Sequence, residues 1–121
     1  MKSVLIISPY FPPTNAADMQ RIRMSLPYFR DLGWNAEIVT VDPAYSDLVI
    51  DSLLCEAIPD NTIIHLIKAF PKKWTGKFGL GSIALRSIGF YHQKVTRLLQ
   101  QNKYDLVYFS TTQFPVCILG A

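Results

Sequence analysis

The sequence predicts an α/β domain with a mostly parallel sheet of about four strands and helices on both faces. Apolar, β-branched runs of strand length alternate with longer segments that have helical periodicity. The strand runs are almost continuously apolar, which is typical of strands that are covered on both faces. Half of the 121 residues are apolar and only 17% are charged. This composition is sufficient for the core of a single folded domain.

The first βαβ unit is predicted within the first forty or so residues. A strand over residues 3–8 leads into a loop over residues 9–13, where three prolines remove backbone donors and fix φ. A helix is expected to begin near Asn15, a good N-cap, and to end before Gly33, with Pro27 kinking or dividing it. Its apolar side repeats at helical spacing through Met19, Ile22, Leu26 and Phe29.

The remaining elements follow the same alternation. The predicted strands cover residues 36–42, 62–67 and 104–109, and a long helix covers residues 82–101. Between the second and third strands, a short amphipathic helix is suggested by Leu48, Val49, Ile50, Leu53 and Leu54. Residues 113–121 begin an apolar helix without a polar terminal turn, and such a face needs a covering partner. We therefore expect residues 1–121 to be one incomplete domain, truncated at its C-terminus.

Positive charge is concentrated in the second half of the chain. Residues 61–104 contain eight Lys or Arg and no Asp or Glu. A segment with this bias has a positive potential, which attracts phosphate groups or an anionic membrane. Within this segment, aromatic and basic residues are interleaved at Lys72, Lys73, Trp74 and Lys77. The pattern suits a membrane interface, an acceptor sugar, single-stranded nucleic acid or a plain solvated loop. The two cysteines, Cys55 and Cys117, match no metal spacing, and we expect buried, reduced thiols.

The candidate binding site lies at the carboxyl ends of the first and fourth strands. In an open parallel sheet, ligands bind beyond these ends, where the strand order reverses. A helix start offers free N–H groups and a positive dipole end to an anion, and hydroxyl side chains both donate and accept. The predicted substrate-binding residues are Tyr10, Pro13, Asn15, Ala16, Ala17, Arg21, Ser110, Thr111 and Thr112. A rigid connector, a solvated arginine and a plain N-cap are the structural alternatives for these features.

The start of the chain resembles glycosyltransferase family 4. The resemblance rests on the strand and aromatic-Pro-Pro loop of residues 4–13, the Leu32-Gly33-Trp34 helix end and the strand at 38–41, with residues 104–109 matching more loosely. It implies a retaining enzyme with two Rossmann-like domains facing across a cleft. The N-terminal domain would hold the acceptor, while the C-terminal domain would bind most of the nucleotide sugar.

The resemblance carries no catalytic residue over to this chain. Ala16 and Ala17 stand where the family commonly has paired glycines, and residues 110–112 stand where many members have a histidine. The family's paired glutamates belong to the second domain. The chain is therefore expected to be inactive alone and to need a C-terminal domain as its partner.

The partners implied by the resemblance are a nucleotide-sugar donor and a saccharide or lipid-linked acceptor. The nucleotide sugar would be a substrate, so no cofactor, no metal and no nucleic acid is expected. We expect a cytoplasmic protein, peripheral at the inner face of the membrane if its acceptor is lipid-linked. The alternative is a non-catalytic membrane or anion-binding module that uses Lys72, Lys73, Trp74 and Lys77.

Overall fold

Four strands and two α-helices form the described part of the protein. In the computed structural model, residues 2–14, 19–45, 49–69 and 83–110 are described. The elements in chain order are β1 (Lys2–Ile7), α1 (Gln20–Phe29), β2 (Trp34–Val41), β3 (Ile63–Ile67), α2 (Ile83–Gln101) and β4 (Leu106–Phe109). This alternation of strands and helices confirms the predicted α/β fold class.

The sheet is parallel throughout, in the order β3-β2-β1-β4. Residues 2–7 of β1 pair with residues 34–39 of β2, and residues 4–7 pair with residues 106–109 of β4. The chain moves outward from β1 to β3 and then returns to the other side of β1. The strand order therefore reverses between β1 and β4, which is the place where such sheets bind ligands.

The two helices cover opposite faces of the sheet, as the sequence predicted. Successive side chains of a strand point to opposite faces. Val4 and Ile6 of β1 are therefore in one core, together with Ile22 and Leu26 of α1. The second core, here called the α2-face core, contains the following buried residues: Leu5, Ile7, Val39, Val41, Ile67, Ala69, Tyr91, Val95 and Leu98. Each large side chain buried here stabilises the fold by about 1.5–3 kcal/mol.

Helix α1 begins later than predicted. Its first residue is Gln20 and its N-cap residue is Met19, which makes no side-chain capping bond. Residues 15–18, which include the predicted cap, lie outside the described residues. Pro27 lies inside α1 but does not divide it, because the helix continues to Phe29. The turn into β2 closes at Gly33, whose φ of +85° is accessible to glycine without strain.

The predicted amphipathic helix between β2 and β3 is wrong. The described residues there form two 3₁₀ helices, Pro43–Tyr45 and Ser52–Ala57, and Val49 and Leu53 are 72% and 68% exposed. The Asp51 carboxylate accepts from the Leu53 N–H at 3.1 Å and caps the second of these helices. Local capping thus decides this segment, and Leu53 remains exposed.

The structure also bears on the expectations about the cysteines, the C-terminal residues and a membrane-spanning helix. Cys55 is free and exposed, so the expectation of a buried thiol is wrong at this position. Cys117 and the predicted helix over residues 113–121 lie outside the described residues. Neither described helix combines the length and the apolar content that a bilayer crossing requires.

Candidate functional site

Two serines extend the sheet by one residue at the point where the strand order reverses. Ser8 follows β1, and its N–H donates to the Val39 carbonyl at 3.1 Å. Ser110 follows β4, and its N–H donates to the Ile7 carbonyl at 3.0 Å. The segments that leave β1 and β4 therefore start side by side. We call this part of the molecule the carboxyl edge.

Three side-chain hydroxyl groups hold the proline-rich loop at the carboxyl edge. The Tyr91 hydroxyl donates to the Ser8 carbonyl at 3.0 Å, and the Thr40 hydroxyl donates to the Pro9 carbonyl at 3.4 Å. The Ser8 hydroxyl donates to the Tyr10 carbonyl at 2.5 Å. We call Ser8, Thr40 and Tyr91 the hydroxyl brace. All three side chains are buried, so the brace satisfies carbonyl groups that water does not reach.

The rest of the loop is held by backbone contacts. The Thr14 N–H donates to the Phe11 carbonyl at 3.1 Å, and the Asp51 N–H donates to the Pro13 carbonyl at 2.7 Å. The ring of Phe11 is buried in the core between the sheet and α1. The Pro12–Pro13 peptide bond is cis. Nearly every carbonyl group of the loop is thus paired with the protein itself.

Two buried hydroxyl groups at or next to this loop have no partner among the described residues. Ser110 is 3% exposed and Thr14 is 2% exposed, yet neither side-chain hydroxyl forms a hydrogen bond within the described ranges. A buried hydroxyl without a partner costs about 1–3 kcal/mol. Such groups are uncommon in native proteins, and they are candidates for contacts to a ligand.

Four of the predicted binding residues are described. Tyr10 and Pro13 are half-buried on the proline-rich loop, and Tyr10 packs against the α2-face core. Ser110 is buried at the carboxyl edge, and Arg21 is exposed in the first turn of α1. Because α1 connects two parallel strands, its first turn is at the end of the sheet where β1 finishes. The predicted residues that lie outside the described ranges are Asn15, Ala16, Ala17, Lys72, Lys73, Trp74, Lys77, Thr111 and Thr112.

Three clefts formed by described residues lie elsewhere on the molecule. One, of about 230 Å³, is lined by the end of α1 and the first residues of β2. Another, of about 470 Å³, is formed by residues 99–104. A third, of about 260 Å³, lies between β3 and α2. None of these three is lined by Tyr10, Pro13, Arg21 or Ser110.

The cleft between β3 and α2 collects positive charge, which the sequence analysis did not locate. We call it the basic cleft, and its lining residues are Leu66, Ile67, Lys68, Phe90, Gln93, Lys94 and Arg97. The basic excess of residues 61–104 is visible in the sequence, but the clustering of three of these cations is not. A local signal was present, because Lys94 and Arg97 are three positions apart and share one side of a helix.

A second missed arrangement brings two titratable side chains, those of His65 and Tyr104, to Glu37. His65 Nε2 lies 3.0 Å from Glu37 Oε2, and the Tyr104 hydroxyl donates to the same oxygen at 2.7 Å. Burial, followed by the hydrogen bond and the charge of Glu37, raises the pKa of Tyr104 above its ordinary value. Among the described residues, no three His, Cys, Asp or Glu side chains form a possible metal site.

The fold and the carboxyl edge together define an α/β domain with a Rossmann-like parallel sheet. Comparisons of the chain with protein-family models, with curated proteins and with solved structures gave no match. Function therefore has to be argued from the site itself, since one fold of this kind hosts many activities.

Proposed function

We propose that the chain is the acceptor-side, N-terminal domain of a retaining glycosyltransferase of the family 4 type. The observation that carries the proposal is the buried Ser110 hydroxyl at the point where the strand order reverses, which has no partner within residues 2–14, 19–45, 49–69 and 83–110. The resemblance of residues 4–13 and 38–41 to that family supports it. In this role the chain binds and orients substrate, while catalysis needs a second domain.

The chemistry of the carboxyl edge suits a sugar. A hydroxyl group can donate and accept at once, so Ser110 and Thr14 can pair with sugar hydroxyl groups in either direction. The braced loop is already ordered, which lowers the entropy lost when a ligand binds beside it. Arg21 is exposed at the start of α1 and can reach a phosphate group of a nucleotide sugar.

Replacement of Ser110 by alanine separates a binding role from a structural role. We expect Ser110→Ala to keep or slightly raise the free energy of unfolding, because it removes a buried hydroxyl that no described residue pairs with. The same variant should weaken nucleotide-sugar binding about fivefold, the effect of one lost hydrogen bond. Urea unfolding measures the first quantity. Amide NMR titrations with UDP-glucose, GDP-mannose and ADP-glucose measure the second.

The control for this experiment is Ser52→Ala, which changes an exposed serine away from the carboxyl edge. In the wild-type chain, we expect the largest shift changes at residues 8–14 and at Ser110. The binding role of Ser110 is rejected if Ser52→Ala weakens nucleotide-sugar binding as much as Ser110→Ala. The proposed function is wrong if a protein that carries both domains binds none of the three nucleotide sugars.

Arg21 tests the phosphate contact independently. Arg21→Gln should weaken nucleotide-sugar binding by about tenfold, because a charge-assisted hydrogen bond to phosphate is lost. Arg30→Gln is the matched control, since Arg30 is also exposed but follows the other end of α1. Equal weakening by both variants would show that only net charge matters.

A second function, contact with an anionic membrane, is favoured by the acid-free segment of residues 61–104. Sedimentation with anionic vesicles tests it. Binding should fall with salt and should be lost when Lys72, Lys73 and Lys77 are all replaced by alanine. Unchanged sedimentation of that triple variant would reject this role for the loop.

A further inference from the structure

The basic cleft is a concave surface between the end of β3 and the middle of α2. Lys68 directly follows β3, while Lys94 and Arg97 are one helical turn apart on α2. In the described sheet β3 is an edge strand, and β2 and β1 lie between it and β4. The lining of the basic cleft includes none of Tyr10, Pro13, Arg21 and Ser110. The two sites are therefore separate.

Among the described residues, no acidic side chain pairs with the positive charges of the basic cleft. Within the described ranges, none of Lys68, Lys94 and Arg97 forms an ion pair. Asp42 is joined to β3 through its N–H, which donates to the Ile67 carbonyl at 2.8 Å. Its carboxylate, however, accepts from the Ala44 N–H at 3.0 Å. Three cations that converge without a counter-charge repel one another, and a bound anion relieves that repulsion.

The lining of the basic cleft matches a phosphate group in particular. The guanidinium of Arg97 has the fork of donors that pairs with two phosphate oxygens, and the two lysines add point charges. Gln93 adds a neutral amide donor, and Leu66 and Phe90 supply apolar surface that strengthens polar contacts nearby. The volume of about 260 Å³ is several times the roughly 30 Å³ of a water molecule. The cleft thus has room for a phosphate group and part of what it is attached to.

We infer that the basic cleft is a phosphate-binding site formed by Lys68, Lys94 and Arg97, distinct from the candidate site at the carboxyl edge. The phosphate can belong to a free, water-soluble molecule or to a lipid headgroup. Both sources present the same charged oxygens, so they have to be separated by experiment.

The test uses the 121-residue chain and two probes. Pyrophosphate, followed by amide NMR, represents the free ligand. Phosphatidylcholine vesicles with and without phosphatidic acid, followed by sedimentation, represent the lipid. In the pyrophosphate titration, the largest shift changes should fall at Lys68 and residues 90–97. Whichever of the two probes binds the wild-type chain should bind the Lys94→Gln/Arg97→Gln double variant at least tenfold more weakly, since two charge-assisted contacts are lost.

The matched control is the Arg30→Gln/Lys103→Gln double variant, which removes the same charge from exposed positions outside the basic cleft. It should bind within about twofold of wild type, because only the long-range field changes. Both double variants alter surface positions, and their thermal unfolding is measured to verify that they fold. The single variant Lys68→Gln provides an independent check from the other wall of the cleft.

Each outcome decides the inference. A response to pyrophosphate that depends on the basic cleft supports a free phosphate compound, and a response only to vesicles with phosphatidic acid supports a lipid headgroup. Absence of both responses overturns the site. Equal weakening by the control double variant also overturns it, because binding would then reflect net charge alone. None of these results depends on Ser110 or Arg21, so they leave the proposed glycosyltransferase function to its own tests.

Discussion

At the scale of single residues, Glu37 is the acceptor for two side chains from other parts of the fold. His65 from β3 and Tyr104 before β4 both approach its Oε2 atom, and the Glu37 and His65 side chains are only 17% and 19% exposed. Two neighbours of this kind satisfy more of the hydrogen-bonding capacity of a half-buried carboxylate than a single donor would. This cluster links β2, β3 and the segment before β4 on the face that α2 covers.

The Tyr104 phenol should make the protein sensitive to alkali. Its pKa is raised from the ordinary value of 10.0, so the folded protein keeps a proton that the unfolded chain loses. The contribution of Tyr104 to the free energy of unfolding is therefore fully present below pH 10 and falls as the pH rises above it. Urea unfolding at about pH 8 and about pH 11 measures this loss.

The variant Tyr104→Phe should remove that part of the alkaline loss, because the phenyl ring cannot ionise. Tyr28→Phe is the control, since the Tyr28 ring is exposed and has no contact with Glu37 in the described structure. If Tyr104→Phe and the wild type lose equal stability between the two pH values, Tyr104 is not the titrating group.

The Tyr91 hydroxyl should contribute measurably to the free energy of unfolding. In Tyr91→Phe the Ser8 carbonyl loses its donor in a buried position, which should lower the free energy of unfolding by about 1–3 kcal/mol. Urea unfolding at neutral pH measures the change, with Tyr45→Phe as a control on a half-buried ring. A change below that of the control would mean that the brace does not stabilise the loop.

The contacts between individual side chains were the part of the site that could not be predicted from the sequence. Glu37 and His65 were read correctly as strand residues, but their contact depends on the β2–β3 register, in which Val39 is paired with His65. Register is fixed by the packing of whole strands and not by local composition. Ser110 was chosen for its place after the fourth strand, and its burial became visible only in the folded chain.

At the scale of elements, α1 contains a proline that a helix does not favour. Pro27 cannot donate to the carbonyl four residues earlier, and a proline inside a helix costs about 3 kcal/mol relative to alanine. Pro27→Ala should therefore raise the free energy of unfolding by about 1–3 kcal/mol and increase the helical signal in the circular dichroism spectrum. A destabilised Pro27→Ala variant would show instead that the ring of Pro27 contributes packing.

The elements themselves were predicted well because their signals are local. Continuous β-branched runs located all four strands to within two residues, and helical spacing located the buried side chains of α1. The error at residues 49–57 has a physical cause. A helical pattern of leucines forms a helix only where a second surface covers it, and here Leu53 remains exposed.

At the scale of the whole molecule, β3 presents an uncharged edge. Ile63, Ile64 and Leu66 are partly exposed on this strand, and natural edge strands usually carry charges that prevent pairing with other chains. Ile64→Lys should therefore reduce concentration-dependent self-association, measured by sedimentation velocity. Leu32→Lys is the control, because Leu32 is 76% exposed but lies in a turn. Equal effects of both variants would assign the change to added charge and not to the strand edge.

The location of the candidate site followed from topology more than from motifs. Alternating strands and helices predicted a parallel sheet, and the reversal of strand order then indicated the ends of β1 and β4. The basic cleft could not be placed in this way. Its cations come from β3 and α2, and their convergence depends on how the helix crosses the sheet.

The hydroxyl brace joins the proline-rich loop to parts of the chain that are distant in sequence, since Thr40 belongs to β2 and Tyr91 to α2. Local opening of α2 should therefore release this loop as well. By thermodynamic linkage, a molecule that binds only the ordered loop must make that opening less frequent. Hydrogen–deuterium exchange of the amides around Tyr91 would then slow when the loop is occupied, although no ligand atom touches the helix.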